Sequence, residues 1–596
     1  MEFFVRDNDN TDNNLDDGVS ALLYSDFITK TFLSSAFGSP SKKVFKSRLL
    51  FATPTTEGGA SSNTATVSLL TDHAPSWETL QEQLLATPTG SRWYQDDLNR
   101  EKGWGPPHAD ALLRRFPAKD EHVDDNTKDP QPDETDNNDA NVRVTLYRDH
   151  AGWCPYCQKV WLYLELKGIP YRVQKVPMNA YGDKPAWFTR KVDGGKLPAV
   201  ELDGILHVES LDIIHLLEET FPEYGPAMIP SDNDDNSNRK MTELLELELE
   251  LQRAWFSLVF YPTEGEALQK SNQTFLETLA RVDNALKSTD GPWFLGANAP
   301  SLVDIQYITQ MERILPSVLY WKGLDLRQNN NTQVLFPHLE AWLLAFESIP
   351  AYRASRSDYY THIMVIPSQN GPGYMIPHAK KIANQISGLE GSWSLPLNLR
   401  DDFLEPFPEL NKDSNRDNPC HEAAYKVIKN HAKVVEFACR GAGEQGRPSF
   451  HAELADPYAE ANEDFRQAVD VSLRHVTHAL ICGGTDGSND NTFVVESPAA
   501  MILDAARKDL SGKAGNDELR ENWEAYPDDD DPTLTYYWNY ETGDVTWTPP
   551  TKQLDTCLAY LRDRVGVPRD MGPAAAMSLR AHLNWVIDIL REQDSK

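Results

Sequence analysis

Residues 144–173 read VTLYRDHAGWCPYCQKVWLYLELKGIPYRV, with two strand-like runs on either side of a helix-like one. The run QKVWLYLELK has the apolar spacing of a helix, and Gly168 directly follows it as a stop signal. Downstream, LPAVELDGILHVES contains two short strand-like runs, and SLDIIHLLEETFP has helical spacing. The predicted order of elements is therefore βαβ followed by ββα.

A pair of cysteines flanks a proline where the first strand meets the first helix. The βαβ-ββα order is that of a thioredoxin-like domain, which we predict for residues 141–224, and it places Cys154 at the start of the helix. A thiolate there faces unpaired N–H groups and the positive end of the helix dipole, so we expect its pKa to lie below about 8.5. Cys157, one turn further on, is placed to attack a mixed disulfide formed at Cys154.

Two other interpretations of this cysteine pair stay open. A zinc site would need two further ligands at comparable spacing. The chain contains no second Cys-x-x-Cys, and its His-x-x-His pair, His475 and His478, lies on a predicted helix without an acidic or cysteine partner at ligand spacing. The second alternative is a pair of buried, inert thiols. The strand-to-helix context is the one in which the motif indicates redox chemistry, so a thiol centre without a metal is the favoured hypothesis.

Length and composition set limits on the rest of the chain. With 596 residues the chain exceeds what one hydrophobic core supports, so several domains are expected. The formal net charge of −33 disfavours binding to nucleic acid and to anionic membranes. Only six cysteines occur, which is typical of a reducing compartment, and no apolar run approaches the length of a membrane helix.

The first 140 residues carry no clear domain signal. Residues 1–75 are predicted to be a leader or a disordered tail, because SSAFGSP resembles algal plastid presequences while the start MEFFVRDNDN is acidic. We therefore leave the localisation open between plastid and cytoplasm. Residues 76–140 are predicted to form short helices followed by an acidic linker.

The domain around the cysteines resembles the N-terminal domain of glutathione transferases, and its CPYC motif is most similar to dithiol glutaredoxins and cysteine-type transferases. Four blocks carry the resemblance, namely CPYCQKV, KGIPY, GGKLPAVELDG and VESLDIIHLLEE. It implies that Cys154 and Cys157 are catalytic. It also implies that glutathione, as cosubstrate, is bound by Lys196, Leu197, Pro198, Glu209 and Ser210.

Each implied role has a chemical basis. In the resemblance Leu197 pairs its backbone with the cysteinyl part of glutathione, and Pro198 is a cis-proline that faces the active site. Glu209 and Ser210 would hold the γ-glutamyl end, and Lys196 the glycine carboxylate. An anionic tripeptide with an α-ammonium group requires these donors and acceptors. Taken alone, Glu209-Ser210 could also be a simple helix cap with Ser210 as N-cap.

The remaining chain is predicted to be mostly helical, giving a multidomain α/β plus all-α protein. Residues 236–356 fit the all-helical transferase C-terminal domain, in which Ser301 and Asp304 form a capping box. Residues 357–415 are expected to be a linker. Residues 416–510 are expected to be a helical extension, and residues 553–596 the C-terminal helices; family analogy suggests a homodimer.

Residues 518–552 contain two tryptophans 24 positions apart, on alternating aromatic strands that resemble a three-stranded WW module. The resemblance places a small core at Trp523, Tyr537 and Pro550. It also implies a groove for a proline-rich peptide, because a polyproline II ligand loses little entropy on docking and presents flat rings. The groove residues would be Tyr536, Trp538, Tyr540 and Trp547.

Two functions from different classes follow. The first is a glutathione-dependent thiol transferase or glutaredoxin-like disulfide or dehydroascorbate reductase, without a metal, in which the Cys154 thiolate forms a mixed disulfide with glutathione. The second is a non-catalytic adaptor that recruits proline-rich proteins through residues 518–552. In the family, a cysteine at this position implies thiol exchange rather than conjugation, which favours the first.

Overall fold

The computed structural model describes most of the chain beyond residue 73. The described residues are 74–116, 142–231, 233–262, 264–327, 334–397, 399, 403–407, 418–444, 446, 454, 456–482, 523–527, 535–539, 545–546 and 554–594. They belong to one compact unit. The predicted leader or tail at residues 1–75 lies almost entirely outside them.

A five-stranded sheet organises the cysteine-containing domain. Its strands are β1 (Leu113–Arg114), β2 (Val144–Asp149), β3 (Tyr171–Val176), β4 (Ala199–Leu202) and β5 (Ile205–Val208). The order across the sheet is β1-β3-β2-β4-β5. Strands β2 and β3 are parallel, while β4 is antiparallel to both β2 and β5. This arrangement confirms the predicted thioredoxin-like fold.

Three helices and two single 3-10 turns complete this domain. They are α3 (Pro155–Lys167), α4 (Ala186–Lys191), α5 (Ser210–Thr220), Asn179–Tyr181 and Asp193–Gly195. Helix α3 begins with proline at its first position, which fits the missing N–H, and ends at Gly168 in the left-handed conformation (φ 70°). The predicted helix and its predicted stop at Gly168 are therefore confirmed.

Long helices form the all-helical domain. They are α6 (Asp235–Val259), α7 (Gly265–Lys287), α8 (Leu302–Lys322), α9 (Pro337–Glu347) and α10 (Pro350–Ser355). The capping box is confirmed, since Asp304 accepts from the backbone N–H of Ser301 at 2.8 Å. Helix α8 is buried along almost its whole length and packs against α3, so one continuous apolar core joins this domain to the sheet domain.

The interpretation of residues 357–415 as a linker is wrong. This segment contains α11 (Tyr359–Asn370), the turn Pro377–Ala379 and α12 (Lys380–Ile386). Helices α11 and α12 both pack on α8, and Trp393 is buried in the same core. The aromatic and turn-rich composition that suggested a linker instead supplies side chains that bury the outer face of α8.

The N-terminal segment contributes more than short helices. Helices α1 (Trp77–Leu85) and α2 (Pro88–Glu101) are followed by β1, which pairs antiparallel with β3 at the edge of the sheet. Helix α1 packs on the C-terminal extension through Leu80 and Leu84. The two-residue strand was not predicted, because it is too short to show alternation.

The C-terminal extension has a second apolar core. Its helices are α13 (Pro419–Cys439), α14 (Arg466–Cys482), α15 (Leu554–Arg564) and α16 (Pro573–Asp594), with the turns Arg440–Ala442 and Glu463–Phe465. All four helices contribute buried apolar side chains to this core. No helix among the described residues is long and apolar enough to cross a membrane.

A small antiparallel sheet lies between α14 and α15 in the sequence. It consists of β6 (Trp523–Pro527), β7 (Thr535–Asn539) and β8 (Val545–Thr546), with β7 in the middle. The ring of Trp538 lies 6.2 Å from that of Tyr526, on the neighbouring strand. The predicted WW module and its ligand stay predictions.

Candidate functional site

The sheet topology brings the predicted site residues to one edge. Cys154 follows the end of β2, and Pro198 precedes the start of β4. Because β2 and β4 are antiparallel, with Tyr147 opposite Ala199, these two positions lie at the same end of neighbouring strands. Strand β5 runs antiparallel to β4, with Val208 opposite Ala199, so Glu209 and Ser210 follow at that end as well.

The two cysteines differ in burial and in acidity. Cys154 precedes the first residue of α3 and is 6% exposed, whereas Cys157 is 1% exposed. The Cys157 thiol lowers the pKa of Cys154, and the backbone N–H groups of Cys157 and Tyr156 act in the same direction, against burial and the Asp149 carboxylate. Burial raises the pKa of Cys157 well above its usual range. Cys154 is thus the more acidic and the more accessible thiol.

The residue before the thiol is fixed from three directions. The backbone N–H of Trp153 donates to Asp149 Oδ2 at 2.7 Å, and its carbonyl accepts from Arg313 Nη2 at 2.8 Å. Its indole Nε1 donates to the carbonyl of Val567 at 2.9 Å. The sheet domain, the all-helical domain and the extension therefore each hold Trp153.

A buried polar network connects α3 to α8 behind the cysteines. Gln158 donates to Glu312 Oε2 at 2.8 Å and accepts from Arg313 Nη1 at 2.8 Å. Glu312 Oε1 lies 2.9 Å from His362 Nε2 and accepts from the backbone N–H of Ser357 at 2.9 Å. Gln158, Glu312 and Arg313 each have partners in this network, which fixes the orientation of α3 on α8.

The predicted glutathione-binding residues form two groups. Lys196 Nζ lies 2.8 Å from Glu209 Oε1, and both side chains are exposed. Ser210 is buried and is the first residue of α5, so the alternative in which Ser210 is the N-cap is wrong. Glu209 takes the N-cap position with φ 65°, a backbone conformation that residues other than glycine rarely adopt.

The loop before β4 is held from the neighbouring turn. The peptide bond between Leu197 and Pro198 is cis, the conformation that the resemblance implied. Leu197 is half-buried and Pro198 is buried. Lys184 Nζ donates to the carbonyl of Gly195. Burial lowers the pKa of Lys184, although the nearby Cys154 and Cys157 act in the opposite direction.

A second cation lies on α3 itself. Lys159 is fully buried, and its Nζ lies 4.8 Å from the centre of the Tyr156 ring. Burial lowers the pKa of Lys159 to about 8, whereas the charges of Glu248 and Cys154 act in the opposite direction. Lys159 therefore supplies positive charge next to the CPYC segment.

The extension closes over the loop that precedes the thiol. Gly152 faces the ring of Pro568, and the guanidinium of Arg569 lies 5.3 Å from the centre of the Trp153 ring. Tyr458 donates to Asp183 Oδ2 at 2.9 Å, so another part of the extension holds the turn next to Lys184. These contacts make the extension part of the site's surroundings.

The four residues predicted to bind a proline-rich peptide are only partly described. Trp538 is exposed on β7, and Tyr536 belongs to the same strand. Tyr540 and Trp547 lie outside the described residues, as does Pro550 of the predicted core. No group of three or more His, Cys, Asp or Glu side chains in the described part of the chain could hold a metal ion.

Comparisons with known proteins place the cysteine-containing domain in a family. The family model for the N-terminal domain of glutathione S-transferases matches residues 153–220. Glutathione S-transferase L1 of Arabidopsis thaliana is 32% identical over 210 residues, which cover 34% of this chain and 79% of that protein. This chain belongs to the glutathione S-transferase family. The predicted membership of the glutathione transferase superfamily is confirmed.

Further glutathione S-transferases show the same extent of similarity. Glutathione S-transferase L3 of Arabidopsis thaliana is 30% identical over 215 residues, covering 36% of this chain and 82% of that protein. The crystal structure of glutathione transferase Omega 3C from Trametes versicolor is 27% identical and covers 36% of this chain and 90% of its own, with a TM-score of 0.30. These matches leave about two thirds of this glutathione S-transferase uncovered.

Sequence reasoning missed three residues around the thiol. Asp149 ends β2 five positions before Cys154, and its charge directly after an apolar strand was a usable signal. Glu312 and Arg313 interrupt the apolar run of α8, which the sequence also shows. Their partners on α3 and α11 could not be read from the sequence, because those contacts depend on the packing of three distant helices.

Proposed function

We propose that this glutathione S-transferase is a thiol transferase that reduces mixed disulfides with glutathione through Cys154. The observation that carries the proposal is the contrast between the two thiols at the start of α3. Cys154 has the lowered pKa, whereas the pKa of the deeper Cys157 is raised. A thiolate is the nucleophile in thiol exchange, so Cys154 is the residue that attacks.

The proposed reaction consists of two exchanges. The Cys154 thiolate attacks the glutathionyl sulfur of a mixed disulfide, that S–S bond breaks, and the substrate thiolate leaves and takes up a proton. Cys154 then carries glutathione in a mixed disulfide. A second glutathione thiolate attacks the glutathionyl sulfur, releasing glutathione disulfide and restoring the Cys154 thiolate.

Cys157 gives the enzyme a second resolving path. Its thiolate attacks Cys154 Sγ, glutathione leaves as the thiol, and a Cys154–Cys157 disulfide forms that two further glutathione molecules reduce. Because the pKa of Cys157 is raised, this path is slower near neutral pH than attack by glutathione.

The groups at the sheet edge suit glutathione. Glu209 is an acceptor for the α-ammonium group, and Ser210 with the start of α5 provides donors for the adjacent carboxylate. Lys196 pairs with Glu209 at the surface. Because its side chain is exposed, the ammonium group can turn towards the glycine carboxylate without crossing the core. We propose these roles together with those of Leu197 and Pro198 for the tripeptide backbone.

The test is glutathione-dependent reduction of the mixed disulfide of glutathione and 2-mercaptoethanol by wild type, Cys154→Ser and Cys157→Ser. We expect Cys154→Ser to be inactive and Cys157→Ser to retain most activity. Loss of activity in both variants would replace the proposed main path with an obligatory dithiol cycle. If the wild type neither reduced the disulfide nor bound glutathione, the proposed enzymatic function would be wrong, and the predicted adaptor function would remain.

A further inference from the structure

A cavity of about 440 Å³ is bordered mainly by the C-terminal extension, with Asp110 of the N-terminal segment at one side. Helices α13, α15 and α16 form its walls together with the loop that connects α15 to α16. Apolar side chains supply much of the lining, including Val427, Val434, Phe437, Leu561 and Leu579. Cavities of this size and character are typical of sites for small organic molecules.

The charge of the lining is opposite to that of the protein. Five cationic side chains and two carboxylates, those of Asp110 and Asp570, border the cavity, whereas the whole chain has a net charge of −33. The cations are Lys426, Lys429, Lys433, Arg564 and Arg569. A positive cavity in an acidic protein attracts small anions, while the surrounding negative field repels large polyanions.

Three of the five cations already have carboxylate partners. Lys426 Nζ lies 3.1 Å from Asp110 Oδ2, and Arg569 Nη2 lies 2.7 Å from Asp570 Oδ2. Lys429 is paired with Asp97. These pairs neutralise one side of the cavity, so its excess positive charge comes from the remaining two residues.

Lys433 and Arg564 supply that excess. The guanidinium of Arg564 lies 3.6 Å from the centre of the Tyr560 ring, which fixes it at the cavity wall. Arg564 Nε is buried and has no hydrogen-bond partner among the described residues, although buried polar atoms normally have one. Lys433 is exposed on α13, so its ammonium can reach a ligand without an energetic cost of burial.

We propose that this cavity is a binding site for a small organic carboxylate with an apolar body. The carboxylate pairs with Arg564 and Lys433, and the apolar body packs on Val434, Phe437 and Leu561. A guanidinium binds a carboxylate with two parallel hydrogen bonds, which gives direction as well as attraction. The cavity lies outside the proposed glutathione site, and the proposal does not depend on the thiol reaction.

The cavity lies next to the loop between α15 and α16, which contacts Trp153. Arg569, at the cavity wall, also stacks over Trp153, and Val567 of the same loop accepts the Trp153 indole N–H. The cavity therefore borders the loop that holds the residue preceding Cys154.

The experiment is calorimetric titration of the full chain with octanoate and, separately, with octan-1-ol, which has the same apolar body without the charge. We expect octanoate to bind with a dissociation constant at least tenfold lower than that of octan-1-ol. Arg564→Gln and Lys433→Gln should each weaken octanoate binding at least fivefold. Lys287→Gln, an exposed substitution on α7, is the matched control and should bind as wild type does.

Several results would overturn the site. Equal affinity for octanoate and octan-1-ol would show that the carboxylate charge plays no part in binding. Undetectable octanoate binding at millimolar concentration would show that the cavity does not bind apolar carboxylates. Octanoate binding that is unchanged in both Arg564→Gln and Lys433→Gln would place the ligand elsewhere, the glutathione site included. Because Lys433 is exposed, its variant keeps the test decisive even if Arg564→Gln does not fold.

Discussion

Arg313 Nη2 donates to the backbone carbonyl of Trp153 at 2.8 Å, so a side chain of the all-helical domain holds the residue that precedes Cys154. The guanidinium also donates through Nη1 to Gln158 Oε1 and to the carbonyl of Thr309. Both Arg313 and Trp153 are buried. The position of the reactive thiol therefore depends on the packing of α3 against α8.

Replacing Arg313 tests this dependence. Arg313→Lys keeps the charge but cannot make three fixed hydrogen bonds, which leaves buried acceptors unpaired at a cost of about 1–3 kcal/mol. We expect kcat/KM for disulfide reduction to fall about tenfold or more, together with a lower unfolding temperature. A shift in the pH profile of Cys154 alkylation separates a positioning role from lost stability alone. Arg281→Gln, which breaks an exposed pair with Glu250, should change neither.

The two cysteines make a second prediction possible, because the Cys157 thiol lowers the pKa of Cys154. Cys157→Ser retains an O–H donor, whereas Cys157→Ala has none. We expect the pKa of Cys154 to rise in Cys157→Ala, so that less thiolate is present at pH 7, and to rise less in Cys157→Ser. The pH dependence of iodoacetamide labelling, followed by mass spectrometry of the peptide that contains Cys154, measures this. Identical profiles for the two variants would contradict the hydrogen bond.

A third prediction concerns Gly566 of the extension, which is far from Cys154 in sequence. A Cβ at Gly566 would lie 2.7 Å from Trp153 Cζ2, a distance at which the indole must move. We expect Gly566→Ala to lower the rate of disulfide reduction at least tenfold. In the control Gly572→Ala, the added Cβ lies 3.3 Å from the flexible end of the Glu422 side chain, so that activity should be nearly unchanged. Full activity in Gly566→Ala would show that the extension does not position Trp153.

The sequence was informative where one local pattern determines one local structure. The apolar spacing between Cys157 and Gly168 predicted α3, and Ser301 with Asp304 predicted the start of α8, because capping and periodicity involve neighbours in the chain. Residues 357–415 were misread because their helices are short and interrupted by Pro367 and several glycines. Their burial depends on α8, which is distant in sequence, so composition alone indicated a linker.

The site shows the same division. Cys154, Glu209 and Ser210 could be proposed from motifs at element ends, since a strand-to-helix junction fixes what such residues face. The contacts of Arg313 and Val567 with Trp153 join positions 160 and 414 residues apart, and no local pattern encodes them. The extension in particular was predicted only as further helices, yet it packs on the loop before the thiol.

Glu209 provides a prediction in which stability and binding change in opposite directions. A φ of 65° destabilises the folded state by about 1–3 kcal/mol in a residue other than glycine. Glycine adopts this φ without strain, but it loses about 0.5–1 kcal/mol more in backbone entropy on folding. We expect Glu209→Gly to raise the free energy of unfolding by about 1 kcal/mol while it weakens glutathione binding. Glu209→Gln should weaken binding without that gain in stability.

A matched substitution checks that the effect on binding is specific to this position. Asp203, with φ 51°, lies in the exposed turn between β4 and β5. We expect Asp203→Gly to leave glutathione affinity unchanged in calorimetric titration. If Glu209→Gly bound glutathione as tightly as wild type, the proposed role for this carboxylate would be wrong.

Three buried histidines allow a prediction of how the free energy of unfolding depends on pH. Burial lowers the pKa of His582 to about 4, that of His150 to about 4 and that of His108 to about 3. In the unfolded chain a histidine titrates near pH 6.5, so below this pH the unfolded state binds protons that the folded state does not. Their contribution to stability is therefore complete above about pH 6.5 and is lost as the pH falls towards 4.

His582→Gln isolates one of these contributions. His582 Nδ1 lies 2.7 Å from the carbonyl of Ser578, and a glutamine amide can donate in its place. By linkage, one such histidine accounts for about 2 kcal/mol of the stability lost between pH 7 and pH 5. We expect urea unfolding of His582→Gln to show a correspondingly smaller loss over this range, while His215→Gln, an exposed control on α5, keeps the wild-type pH dependence. Equal losses in His582→Gln and wild type would mean that His582 is protonated in the folded protein as readily as in the unfolded chain.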